Sequence, residues 1–213
     1  MNINSQIIDL RSDTVTLPSE EMLNALKSVK LGDDVFSEDP TVNKLQEKAA
    51  NIMGKEDALL VPSGTMGNLV SILVHCNRGD EVILGDQAHT FLYEAGGISA
   101  FGGIHSRQLK NNDDGTIDLK EIQASIREEN VHFPPTTLIS LENTHNRCFG
   151  AVLTPEYVSK VSEIAKKNNC KVHLDGARIF NASVALDLDV KELTKDVDSL
   201  TFCLSKGLSS PIG

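Results

Sequence analysis

Three features spread along the chain carry residue types that could do covalent chemistry. The last is Lys206, in SLTFCLSKGLSSPIG (199–213). The apolar residues Leu200, Phe202 and Leu204 read as a buried strand that delivers one amine into a turn of small residues. There the amine has room to meet a carbonyl, although a lone lysine in this position also reads as a surface residue closing a strand. The second feature is Asp175, which ends KVHLD (171–175) and is followed by Gly176 and Arg178. A carboxylate at a buried strand end is costly without a cationic partner. A protonated pyridine nitrogen would be such a partner; pairing with Arg178 or capping the next helix are the plain alternatives. The third is PSGTMGN (62–68), between a short apolar run and a helix, where the N–H groups of Gly64 and Thr65 could hold a phosphate. Alone it is weak, without the lysine of nucleotide-triphosphate loops or dinucleotide spacing, and a structural turn accounts for it equally. Joined, a phosphate loop, an acid for a ring nitrogen and a strand-end amine are the three fixed points that hold pyridoxal 5′-phosphate.

The elements that would position these residues alternate along the chain. Residues 1–18 form a polar arm ending in Pro18. Ser19 caps a helix to about Ser28, and an acidic loop (31–40) precedes a second helix from Thr41, with Val42, Leu45, Ala49 and Ile52 at helical spacing. Ala58–Val61 reads as a strand, and Leu69–His75 as a helix. Strands are expected at 81–86, 104–109, 137–144 and 171–175, and again before Lys206. Between them lie a helix-like QAHTFLYEAGG, a helix over 118–129 and a clear helix over 154–169, with Thr154 as cap and Pro155 at its first position. Strands separated by helices predict an α/β fold: three layers, a mostly parallel sheet with helices on both faces. In such sheets ligands sit at the carboxyl ends of the strands, which puts the SGTMGN loop, His89, Asp175 and Lys206 on one rim.

Composition narrows the function classes. A net charge of −10 with no basic cluster argues against nucleic acid or an anionic membrane as partner. No apolar run approaches the roughly 20 residues of a membrane span, and MNINSQ lacks the character of a secretion signal. The four cysteines and six histidines show neither paired nor zinc-ligand spacing, so no metal is expected. Buried free thiols in a reducing cytoplasm fit this pattern.

With these motifs quoted, the sequence resembles the low-specificity L-threonine aldolases, within the threonine aldolase and beta-eliminating lyase group of fold-type I pyridoxal-phosphate enzymes. The runs that carry the resemblance are IDLRSDTVT (8–16), GDDVFSEDPTVN (32–43), VPSGTMGN (61–68), GDEVILGDQAH (79–89), HF (132–133), SLENTHNR (140–147), VHLDGARIFNAS (172–183) and FCLSKGL (202–208). The resemblance implies that Lys206 joins the cofactor, Asp175 pairs with the ring nitrogen, Gly64 and Thr65 bind phosphate, and His89 stacks on the ring. It further implies that Ser12 and Arg178 hold the substrate carboxylate and that His132 faces its β-hydroxyl. The implied reaction is retro-aldol cleavage of threonine or allo-threonine to glycine and acetaldehyde by a cytoplasmic dimer or tetramer. Another fold-type I activity, elimination or transamination, shares the same anchors. Members of the family continue well beyond the lysine motif, so residues 19–213 are expected to form a cofactor-binding large domain incomplete at its C-terminal end, without the small domain. A non-catalytic fragment is the alternative. Cys148-Phe149-Gly150 departs from the small residues usual after NTHNR.

Overall fold

The computed structural model describes residues 8–213, so the first seven residues of the expected arm lie outside the described part. Helices α1 (Glu20–Ala25) and α2 (Pro40–Met53) open as capping chemistry dictates. The Ser19 hydroxyl accepts from the Met22 N–H, and one Asp39 carboxylate oxygen from the N–H groups of Thr41 and Val42. Pro40 occupies the first turn of α2, where no N–H is needed, and Gly54 closes the helix at φ +64°. There follow α3 (Gly64–His75), β1 (Glu81–Gly85), α4 (His89–Leu92), α5 (Gly97–Ala100), β2 (His105–Leu109), α6 (Leu119–Ser125) and β3 (Thr136–Glu142). The rest is α7 (Pro155–Lys167), β4 (Lys171–Asp175), α8 (Ile179–Leu186), α9 (Val190–Thr194) and β5 (Ser199–Thr201).

The five strands form one sheet in the order β2-β1-β3-β4-β5, and every pairing is parallel. Helical crossovers cover both faces, as parallel strands require. Period-two alternation divides the strand residues between two apolar cores. Val82, Leu84 and Leu138 meet Ile72 of α3 and Ile98 of α5 on one face. Ile83, Ile139, Leu141, Val172 and Leu174 meet Val158, Val161 and Ala165 of α7 on the other. In β4 the same alternation sends Val172 and Leu174 toward α7, and leaves His173 and Asp175 facing α3.

Four local expectations are corrected. Ala58–Val61 is extended but joins no ladder: the Leu60 N–H donates to Gln46 Oε1 at 2.9 Å instead of to a neighbouring strand. A strand exists only as one of a pair, and none of the described residues pairs with this segment. The QAHTFLYEAGG segment splits into α4 and α5 because Ala95 and Gly96 take left-handed backbone at φ 52° and 66°. Helix α3 starts at Gly64, so Gly64 and Thr65 are its first turn and not a loop ahead of it. Strand β5 ends at Thr201, so Lys206 stands in the following loop and not at the strand end.

The α7-side core predicts a measurable loss. Leu174 is fully buried at the centre of that face. Leu174→Ala should cost about 3 kcal/mol of stability, read as a lower urea midpoint with an unchanged slope.

Candidate active site

The carboxyl ends of β4 and β5 stand side by side, with Asp175 in register with Thr201. From Thr201 the chain runs five residues to Lys206, and the loop is folded back on itself. Leu204 and Ser205 donate their N–H groups to the Gly213 carbonyl, and the Ser205 hydroxyl joins them at 2.7 Å. Gly213 in turn donates to the carbonyl of Pro62, which ties the lysine loop to the start of α3. A Cβ at Gly64 would lie 2.7 Å from Cys203 Sγ, so the helix start and the lysine loop meet where only a small residue fits. Burial pushes the Cys203 thiol up, and the Lys206 amine, lying against it, pulls the other way.

The N-terminus of α3 faces the same loop. The Ser63 hydroxyl accepts from the Met66 N–H at 3.2 Å and caps the helix. The Gly64 and Thr65 N–H groups precede the first intrahelical bond, which runs from Gly67 to Ser63, and they remain donors for an anion.

Asp175 is 3% exposed. Its Oδ1 accepts from the Ala177 N–H at 3.1 Å and its Oδ2 from Asn68 Nδ2 at 2.9 Å. Asn68, one turn into α3, spreads its amide between two carboxylates, since Nδ2 also donates to Glu94 Oε1 at 2.8 Å. Glu94 in turn holds His89 Nδ1 at 2.9 Å. That hydrogen bond is the main reason the His89 imidazole holds its proton to higher pH than usual, with Asp175 and Glu142 adding to it. Ligand atoms of His89, Glu94 and Asp175 come within 4.8 Å of one another.

Glu142, the last residue of β3, closes this floor. It accepts the His89 N–H at 2.7 Å and the Asn146 N–H at 2.8 Å. Burial, reinforced by the negative charge of Asp175, raises its carboxyl to about 7. Behind it His145 is 1% exposed and its Nδ1 has no hydrogen-bond partner. Burial lowers its pKa.

The N-terminal arm reaches the rim at two points. Asp13 grips Arg178 through Nε and Nη2, both at 2.7 Å, which holds the Asp13 carboxyl below its ordinary range. The Thr16 hydroxyl donates to the Lys206 carbonyl at 2.6 Å. Ser12 and Arg178 line one pocket of about 400 Å³ together with Thr144, Asn146 and Asn181. The Ser12 hydroxyl accepts from Thr14, capping the short turn Asp13–Val15. One expected site residue is not brought to this rim within the chain. His132 is exposed and lies four residues ahead of β3, at the amino end of the sheet, where neighbouring Phe133 sits under Arg127 and Arg127 pairs with Glu81. Lys206, Asp175, Gly64, Thr65, His89, Ser12 and Arg178 do share one rim. Sequence reading passed over Asn68, Glu94, Glu142, His145 and His173. Asn68 and His173 stand inside the quoted motifs and Glu142 ends a quoted strand, so their positions were visible while their partners were not.

The donor set suits a phosphorylated, cationic heterocycle. The ion pairs of this rim reach Glu94, Glu142 and Asp13 but not Asp175, which leaves a buried carboxylate facing the rim without a cation. The helix N-terminus offers unused N–H groups to a phosphate, and a primary amine stands between the two.

A parallel α/β sheet with a buried acid, a helix N-terminus and a lysine at one rim defines the class: a pyridoxal-phosphate-type large domain. The model of the beta-eliminating lyase family matches residues 9–213, and the chain belongs to that family. It is 53% identical over 209 residues to a probable low-specificity L-threonine aldolase 2 of Arabidopsis thaliana, covering 97% of this chain and 59% of that protein. It is 49% identical over 207 residues to the low specificity L-threonine aldolase of Escherichia coli (strain K12), covering 97% of this chain and 61% of that one. The chain thus spans about 60% of the length of these relatives. The fold superposes on a threonine aldolase of Leishmania major with a TM-score of 0.77 at 19% identity, over 91% of this chain and 57% of that structure.

The raised Glu142 carboxyl sets a pH dependence. A carboxyl that takes up its proton near 7 when folded and near 4.5 when unfolded favours the folded state at low pH, and that contribution is lost as pH rises from 4.5 through 7. Glu142→Gln should therefore gain stability relative to the unsubstituted chain, by up to about 3 kcal/mol, between pH 4.5 and 7.5. Urea denaturation without added cofactor at both pH values measures it.

Proposed function

We propose that this chain binds pyridoxal 5′-phosphate and belongs to an enzyme that cleaves L-threonine or L-allo-threonine to glycine and acetaldehyde. The observation that carries this reading is Asp175, a buried carboxylate without a cation, placed between the N-terminus of α3 and the Lys206 loop. When bound, the cofactor supplies an electron sink for the bond broken beside the amino-bearing carbon. The remaining work falls to residues of the chain. Asp175, held by Asn68 and the Ala177 N–H, presents a fixed acceptor to a ring N–H. Gly64 and Thr65 N–H groups receive the phosphate, and Lys206 supplies the amine that reacts with the aldehyde.

His89 stands beside the ring position and takes the β-hydroxyl proton when neutral. Its tie to Glu94 raises its pKa, so the fraction able to act as base grows with pH. Arg178 spends Nε and Nη2 on Asp13, which leaves Nη1 to bind a substrate carboxylate beside Ser12. Two grips, on carboxylate and on amine, hold the scissile bond at the angle that selects this reaction among those open to one cofactor. With His132 at the far rim of its own chain, the base within the chain is His89.

The family model's description favours one second reading, β-elimination, which would release ammonia and a keto acid instead of glycine and an aldehyde. A cytoplasmic place is supported by four buried free thiols and by the absence, among the described residues, of a helix long and apolar enough to cross a membrane. Homo-oligomer formation is supported by exposed Leu10, Leu17, Leu31, Val35 and Phe36 in the arm and the acidic loop.

The protein carrying this chain, supplied with pyridoxal phosphate and either threonine diastereomer, should release acetaldehyde. Lys206→Ala should lower the rate by at least about 10²-fold. Borohydride should fix the cofactor to Lys206 in the unsubstituted protein. No acetaldehyde from either substrate defeats the aldol reading, and ammonia with a keto acid transfers the assignment to elimination.

A further inference from the structure

Behind Asp175 runs a chain of hydrogen bonds that the proposed reaction leaves unused. His75 Nε2 lies 2.8 Å from Ser199 Oγ, and Ser199 Oγ lies 2.9 Å from His173 Nδ1. His173 Nε2 lies 3.1 Å from Asn68 Oδ1, and Asn68 Nδ2 lies 2.9 Å from Asp175 Oδ2. Regular geometry builds it. Asn68 and His75 are seven residues apart on α3 and so share a face. His173 and Asp175 are two apart on β4, and His173 is in register with Ser199 of β5.

The polarity of every link follows from the last one. Asn68 touches two carboxylate oxygens, on Asp175 and Glu94, and both accept. Its NH₂ must therefore face them, which turns Oδ1 toward His173. His173 must donate from Nε2. It is completely buried and burial lowers its pKa to about 4, so it is neutral and Nδ1 is an acceptor. The Ser199 hydroxyl donates to Nδ1 and accepts from His75 Nε2. Each donor thus points toward Asp175. An amide hands on no proton, so this chain orients charge and does not move it.

The geometry points to His75, Ser199, His173 and Asn68 as a one-way relay of positioning residues that locks the His173 tautomer and holds the negative charge of this rim on Asp175. The inference rests on the reading of Asp175 as the partner of the cofactor ring. Charged or titratable groups face the relay at both ends: Asp198 and Lys171 near His75, and Glu94, His89 and Glu142 near Asp175. The competition between Asp175 and Glu142 for one proton gives the relay its task. Donors aligned on Asp175 favour its charge, and the proton goes to Glu142.

The decisive substitution removes one hydroxyl remote from the pocket. Nitrogen NMR of isotope-labelled histidine in the whole chain, assigned with His173→Gln, should show His173 neutral with its hydrogen on Nε2. Ser199→Ala should release the hydrogen to Nδ1 and weaken pyridoxal phosphate binding about three- to tenfold. Ser199→Thr should restore both. A hydrogen on Nδ1 in the unsubstituted chain overturns the relay, as does a Ser199→Ala chain that binds pyridoxal phosphate unchanged. A chain that binds no pyridoxal phosphate defeats the cofactor reading instead, and the tautomer then decides the relay by itself.

Discussion

A carboxylate buried without a cation is the constraint on which the rest of this structure depends. Asp175 sits at the end of a central strand, in contact with an asparagine, and close to the buried acids Glu94 and Glu142. Desolvation and like charge both work against ionising the whole group. The protein answers with fixed donors. Asn68 serves two of the acids, backbone N–H groups of Ala177, His89 and Asn146 serve Asp175 and Glu142, and His89 partners Glu94. What is left over is one acceptor aimed at the rim, the electrostatic complement of a cationic ring.

Strand alternation is what makes such an arrangement compatible with a stable core. In β4 the same five residues place two aliphatic side chains against α7 and two polar ones against α3. A slip of register by one residue would exchange the two sets, exposing the acid to the apolar core and the aliphatic groups to the site. The long parallel ladder between β3 and β4, from Leu138 with Lys171 to Glu142 with Asp175, holds that register. The polar face is thus supported by the apolar packing of the opposite one.

Two segments distant in sequence complete the rim. The arm contributes Asp13 to Arg178 and Thr16 to the Lys206 carbonyl, and the loop that closes at Gly213 is pinned to Pro62. A neutral or cationic residue at position 13 would leave Arg178 half-buried without its bidentate partner, so the arm and the site are energetically linked.

The residues alone determined a good deal: the alternation of strands and helices, the parallel sheet, the caps at Ser19 and Thr154, and a rim shared by Gly64, Thr65, His89, Asp175 and Lys206. These follow from local chemistry, namely periodicity, capping side chains and the rule that parallel strands present their carboxyl ends together. Other properties belong to the fold. Ala58–Val61 has the composition of a strand, but strand formation needs a neighbour. Lys206 looks like a strand end, but the ladder stops at Thr201. His132 stands in a motif of the site and sits at the opposite rim, because a residue before a strand cannot reach the end beyond it. The partners of Asp175, among them Asn68 and through it His173, lie far apart along the chain or on different elements. Only packing α3 against β4 brings them within hydrogen-bond distance, and no spacing in the linear chain encodes that approach.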